Sequence, residues 1–201
     1  MPNQTDLFFY LAAFVTVVLG LALSDMVQSV HRLLRAGPRV RWSMLPVIAA
    51  SIAAAALLAQ FFLLWEYLGP QRFSFLDLLG ALAPPVLITL PALAALPDEV
   101  PPEGIDLEAF YFNNRRYFFG AMLASLLADV LSVVWADWGT DDYLIGYAMY
   151  SLLLAPVVWL LLALRRSTSR RLHYVGLLVL IPVMILEASL YEIALPPPSR
   201  S

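Results

Sequence analysis

The chain has 201 residues, 61% hydrophobic and only 13% charged, with a net charge of −3 and a mean hydropathy of +0.78. Soluble domains run nearer ~45–50% apolar and ~25% charged, so this composition leaves too little polar surface to cover a water-facing globule and points to the bilayer as solvent. All twelve basic residues are arginine and cysteine is absent, which excludes disulfides, thiol catalysis and Cys-ligated metal.

The N-terminus, MPNQTD, carries no basic n-region and no small-residue cleavage motif, so the first apolar run is expected to stay as a helix. That first span covers about 7–27; the uncharged stretch Leu7 to Ser24 alone reaches ~27 Å, close to one hydrocarbon core. Beyond it Asp25, Gln28, Arg32 and Arg35 fall on one helical face, and Gly37-Pro38 supplies a stop. The Asp25 face is expected to pack on the acidic loop or to pair with arginine.

The second span, 43–66, is dense in small residues (Ala49, Ala50, Ser51, Ala53 to Ala56, Ala59), which let helices approach closely in lipid. Gln60 is its one strongly polar side chain before Glu66. The third, 75–96, opens with Ser74 and Asp77 at capping-box spacing. It holds Pro84, Pro85 and Pro91, which deprive the carbonyls of Gly80, Ala81 and Leu87 of their donors. A Pro-broken helix is predicted there.

Residues 98–114 form an acidic loop, with Asp98, Glu99, Glu103, Asp106 and Glu108 around Pro101-Pro102. A short amphipathic helix is expected from Asp106, lying along the interface. The fourth span, 117–136, is anchored by Arg115-Arg116 and Trp135 and carries one charge, Asp129. The fifth, 143–164, has a polar stripe at Tyr147, Tyr150 and Ser151, and the sixth, 174–193, contains Glu187 with Tyr191 four positions on.

Ten arginines flank the odd loops, and only Arg72 and Arg200 lie on the other side. The positive-inside rule then puts the odd loops in the cytoplasm and both termini outside. The fold class read from the sequence is therefore an all-α integral membrane protein, one domain of six spans in three consecutive hairpins. Short loops and an Ala, Leu and Arg bias fit a bacterial inner membrane.

The costly groups mark the candidate site. Ala121, Ser125, Asp129, Ser132 and Ala136 share a small, polar face of the fourth span that should point into the bundle. A carboxylate at that depth is by default a functional group. Glu187 lies at comparable depth, and Gln60 and Asp77 enter from the same side, so Asp129, Glu187, Gln60 and Asp77 are the primary ion or proton pathway candidates. Asp25, Tyr147 and Tyr191 are secondary. His31 and His173, the two histidines, fall at the cytoplasmic interface and are expected to be solvated.

No Walker or dinucleotide glycine loop, G-x-S-x-G or H-E-x-x-H occurs, so no catalytic site, metal or cofactor is expected. The arginines sit as topology signals in short loops and give nucleic-acid binding no support. The function expected is a small cation or proton channel or a proton-coupled transporter. Six helices make a thin bundle, so a homo-oligomer is the expected form. The alternative is a non-transporting scaffold or accessory subunit of a larger membrane complex.

Overall fold

The computed structural model describes residues 4–67, 75–136 and 143–190, with side chains described over 9–61, 79–132, 134, 154–183 and 185. It is mostly helical: α1 (Gln4–Ala36), α2 (Met44–Tyr67), α3 (Phe75–Leu87), α4 (Thr89–Ala94), α5 (Leu107–Ala136), α6 (Tyr143–Arg166) and α7 (Arg170–Leu190). Among the described residues two stretches, Phe9–Arg39 and Met44–Phe61, are by length and composition long and apolar enough to cross a membrane.

At 33 residues α1 is ~50 Å long, more than one hydrocarbon core, so its last turns project beyond one. Leu11, Val15, Leu19, Ala22, Met26 and Leu33 recur at three- and four-residue spacing and are buried. The opposite face is apolar too, but exposed, from Phe9, Tyr10 and Phe14 to Val27 and Leu34. Part of the small-residue run of α2 is buried, Ala49 and Ala53 fully, with Ala50, Ile52 and Leu57, while Ser51 and Ala55 are exposed. α5 is the central helix, packing on α2, α3, α4 and α6, while α7 lies against α2 and α6.

α1 ends at Gly37, which takes the left-handed φ of 54° that a C-terminal cap requires, and Pro38 follows in a short 3-10 turn. The chain then forms β1 (Val40–Arg41), which pairs in parallel with β2 (Ile105–Asp106). That ladder depends on Gly104, whose φ is 91° and where a Cβ would stand 2.5 Å from the Arg39 carbonyl oxygen. A side chain at 104 would push the acidic segment off β1. The all-helical reading of the sequence contains no strand; the ladder is only two residues a side and has no alternating pattern to read.

The helix expected from Asp106 begins at Leu107, but it is not a separate short one. Asp106 caps α5 directly, its Oδ1 accepting from the backbone N–H of Glu108 at 2.9 Å and of Ala109 at 3.1 Å. With no proline or glycine between Leu107 and Phe119, nothing interrupts the helix, and α5 runs unbroken for 30 residues. The amphipathic turns are the first turns of that same helix.

Pro84 and Pro85 lie inside α3, and Pro91 lies in α4. Ile88 separates the two helices, with φ −67° and ψ −18°, so the backbone stays right-handed across the join. Its N–H still reaches the Pro84 carbonyl at 2.9 Å.

Candidate functional site

The polar face of α5 turns inward. Ala121 and Ser125 are buried, and Asp129 and Ser132 are half-buried. The Gln60 side chain on α2, itself buried, donates from Nε2 to Asp129 Oδ1 at 2.7 Å. This bond joins Gln60, the one strongly polar side chain of α2 before Glu66, to Asp129, the one acid of α5 beyond Glu108, and it is charge-assisted when the acid is ionised. One turn away Ser125 is 1% exposed, and its hydroxyl has no hydrogen-bond partner among the described residues.

One turn further on, Ser132 Oγ lies 2.8 Å from both the Gly80 and Ala128 carbonyl oxygens. Gly80 is four residues before Pro84, so its carbonyl is one that a proline leaves without an N–H donor. The Ser132 hydroxyl supplies the substitute, which ties α5 to α3 at the point where the proline weakens α3. In an apolar medium an unpaired carbonyl costs several kcal/mol, on the order of 2–7, so the partner matters.

Of the sequence candidates the structure brings Gln60 and Asp129 together. The side chains of Asp77, Glu187 and Tyr147, and the whole of Tyr191, lie outside the described residues. Asp25 is half-buried on a separate face of α1. Along that face Arg32 donates to Gln28 Oε1 at 3.2 Å and to the Asp98 carbonyl oxygen. The α1 face thus packs on the acidic segment.

A second buried cluster lies at the other end of α5. His31 is exposed, as expected, but His173 is not: its side chain is fully buried. The Tyr111 hydroxyl donates to His173 Nδ1 at 2.8 Å, and His173 Nε2 donates to the Ser167 carbonyl at 3.1 Å. These partners fit a neutral ring with its proton on Nε2. Tyr111, Phe112 and Phe119 surround it, with ring centroids 5.3, 5.0 and 5.8 Å away. Burial lowers the His173 pKa from its ordinary value; the Ser167 carbonyl opposes this and the Arg115 charge adds to it. Burial likewise raises the Tyr111 hydroxyl.

His173 therefore corrects the expectation of a solvated interfacial residue. The signal was present, because His173, Leu177 and Leu180 fall at i, i+4 and i+7 and all three are buried. The run of arginines just before it hid that periodicity.

Around this Tyr111–His173–Ser167 contact, a latch between α5 and the start of α7, the helix starts are linked by charge. Arg41 pairs with Asp106 at 3.1 Å, and Glu108 accepts from Ser43 at 3.4 Å and pairs with Arg170 at 3.3 Å. The N–H of Ala109 holds the Asp106 carboxyl below its usual value, against burial, with Glu108 N–H and Arg41 adding to the effect. Among the described residues no group of three or more His, Asp or Glu side chains is placed to hold a metal ion. No family model, curated protein or solved structure matches this chain.

Proposed function

We propose that the chain is a six-span membrane protein, three hairpins with both termini outside a bacterial inner membrane, that passes protons or small cations by way of Asp129. The observation that carries this reading is the Gln60–Asp129 bond, formed between two apolar helices and next to the Ser125 hydroxyl, which has no partner among the described residues. The choice of partner matters. An arginine beside Asp129 would hold the carboxylate ionised, whereas a carboxamide presents both an N–H donor and a carbonyl acceptor. By turning over, Gln60 can bond Asp129 with or without its proton. A carboxyl served in both states is suited to taking up and releasing a proton. Ser125 and Ser132 offer further oxygen atoms on the same face of α5, and the exposed apolar face of α1 suits contact with lipid or with a second copy of the chain.

The same contacts favour a second reading, a scaffold or accessory subunit, in one respect. Asp129 and Ser132 each reach a neighbouring helix, which is also what interhelical glue does. Purified protein in liposomes separates the two: proton or monovalent-cation flux under an imposed gradient is expected for the first, and none at any pH for the second.

Topology has its own test, because no native cysteine interferes. Single cysteines at Thr5, Gly139 and Ser199 are expected to react with a membrane-impermeant thiol reagent in intact cells, and one at Ser169 to stay unlabelled. The reverse pattern overturns the orientation.

A further inference from the structure

At the end of α1 the side chains of Arg32, Arg35 and Arg39 line a cleft of about 440 Å³ with Ala36, Glu99 and Val100. Three arginines and one glutamate are thus among its six lining residues. Among the described residues two arginines have acidic partners, Arg41 with Asp106 and Arg170 with Glu108. Among the described residues no ion pair engages Arg35 or Arg39, although the acidic segment 98–108 passes beside them. Arg32 is fixed in place by Gln28 and by the Asp98 carbonyl, which uses only part of its five-donor fork. Cations at a helix C-terminus complement its dipole, but that effect does not call for three of them turned into one cleft. Such a cleft is charged to receive an anion with several oxygens, and guanidinium matches phosphate in a paired, planar geometry.

We infer that this cleft binds the headgroup phosphate of an anionic phospholipid of the cytoplasmic leaflet, with the acyl chains running along α1. The inference rests on the membrane reading above. Its surroundings select a lipid over a free phosphate. On the same side of α1 as the cleft, three and four turns before Arg32, Leu21 and Val17 are 66% and 59% exposed. One phospholipid can thus place its phosphate among the arginines and its acyl chains over that apolar surface. Arginines near an anionic membrane surface each strengthen attachment modestly, and basic pockets between helices on that side are suited to lipid headgroups.

The test uses the full chain, purified in mild detergent, with lipid binding counted by native mass spectrometry. Phosphatidylglycerol, phosphatidylcholine and inorganic phosphate are the probes. The wild type is expected to prefer phosphatidylglycerol to phosphatidylcholine by roughly tenfold. The double variant Arg35→Gln/Arg39→Gln should bring that ratio near one, while Arg170→Gln/Arg171→Gln, with the same change in net charge, should leave it intact. Equal loss in both double variants, no loss in the first, or binding of inorganic phosphate as tight as that of the lipid overturns the proposal. Flotation with liposomes keeps the two readings apart. A chain that floats but shows no anionic preference defeats the lipid site alone. A chain that stays soluble without detergent defeats the membrane reading, and the lipid site with it.

Discussion

Replacing His173 by leucine is expected to be the most destabilising single change at the Tyr111 end of α5. Leucine fills much of the space but offers Tyr111 Oη and the Ser167 carbonyl nothing to bond. Each buried polar group left without a partner costs about 1–3 kcal/mol. Tyr111→Phe should cost less, because it strands only Nδ1 of a ring whose other nitrogen keeps its bond. Combining the two changes removes both ends of the Tyr111–His173 bond, so the double variant should lose less than the sum of the singles. Thermal melting in detergent reads all three, and additive losses would mean that the bond is not coupled.

The same residue gives the protein a pH dependence with a definite sign. The His173 pKa is lowered in the folded state, so below the ordinary value of 6.5 the unfolded chain binds more protons than the native one. The neutral ring's contribution is complete above about pH 6.5 and is lost as the pH falls through that value toward the lowered one. Asp106 is also depressed, but from 3.8, so its loss belongs to a separate and more acidic window. Wild-type melting temperature should therefore decline between pH 7 and 5, and His173→Leu should flatten that decline. An unchanged slope in the variant would assign the pH dependence to other groups.

What the sequence made legible is what periodicity and single residue types carry. The helical fold, the stop at Gly37-Pro38 and the inward polar face of α5 all follow from spacing that one segment determines by itself. So does the need of the Gly80 carbonyl for a new donor, though not the identity of that donor. Ser132 lies 52 residues from Gly80, and Gln60 lies 69 from Asp129. Those pairings are set by how helices pack, which depends on small-residue contacts such as Ala49 and Ala53 and not on any local pattern. The latch was hidden for a different reason. The arginines just before His173 read in the sequence as a membrane boundary, and a boundary is where solvated histidines are expected. Yet α5, begun at its Asp106 cap, extends far enough to bring Tyr111, Phe112 and Phe119 over the start of α7. The β1–β2 ladder was unreadable because its basis is a backbone approach at Gly104.

The other large effect belongs to Asp129. Asp129→Leu leaves the Gln60 amide unsatisfied between apolar helices, at about 1–3 kcal/mol and more where no water reaches, so folding or assembly should suffer. Asp129→Asn keeps nearly the same shape and can still bond Gln60 through its own carbonyl, so folding and insertion should survive. What asparagine removes is the exchangeable proton alone. Asp129→Glu keeps that proton on a longer arm and should retain part of the activity. Proton or cation flux in the asparagine variant should then fall by roughly tenfold or more while stability holds. A structural role for Asp129 gives the opposite pattern, with Asn nearly silent and Leu damaging.

The most direct measurement compares wild type and Asp129→Asn in liposomes at equal protein density, following internal pH with a trapped dye under an imposed proton gradient, with melting recorded for both. The proposed function gives dissipation of the gradient by the wild type and loss of it in a variant that is folded and inserted to the same degree. Equal flux from both proteins, or none from either, would contradict it.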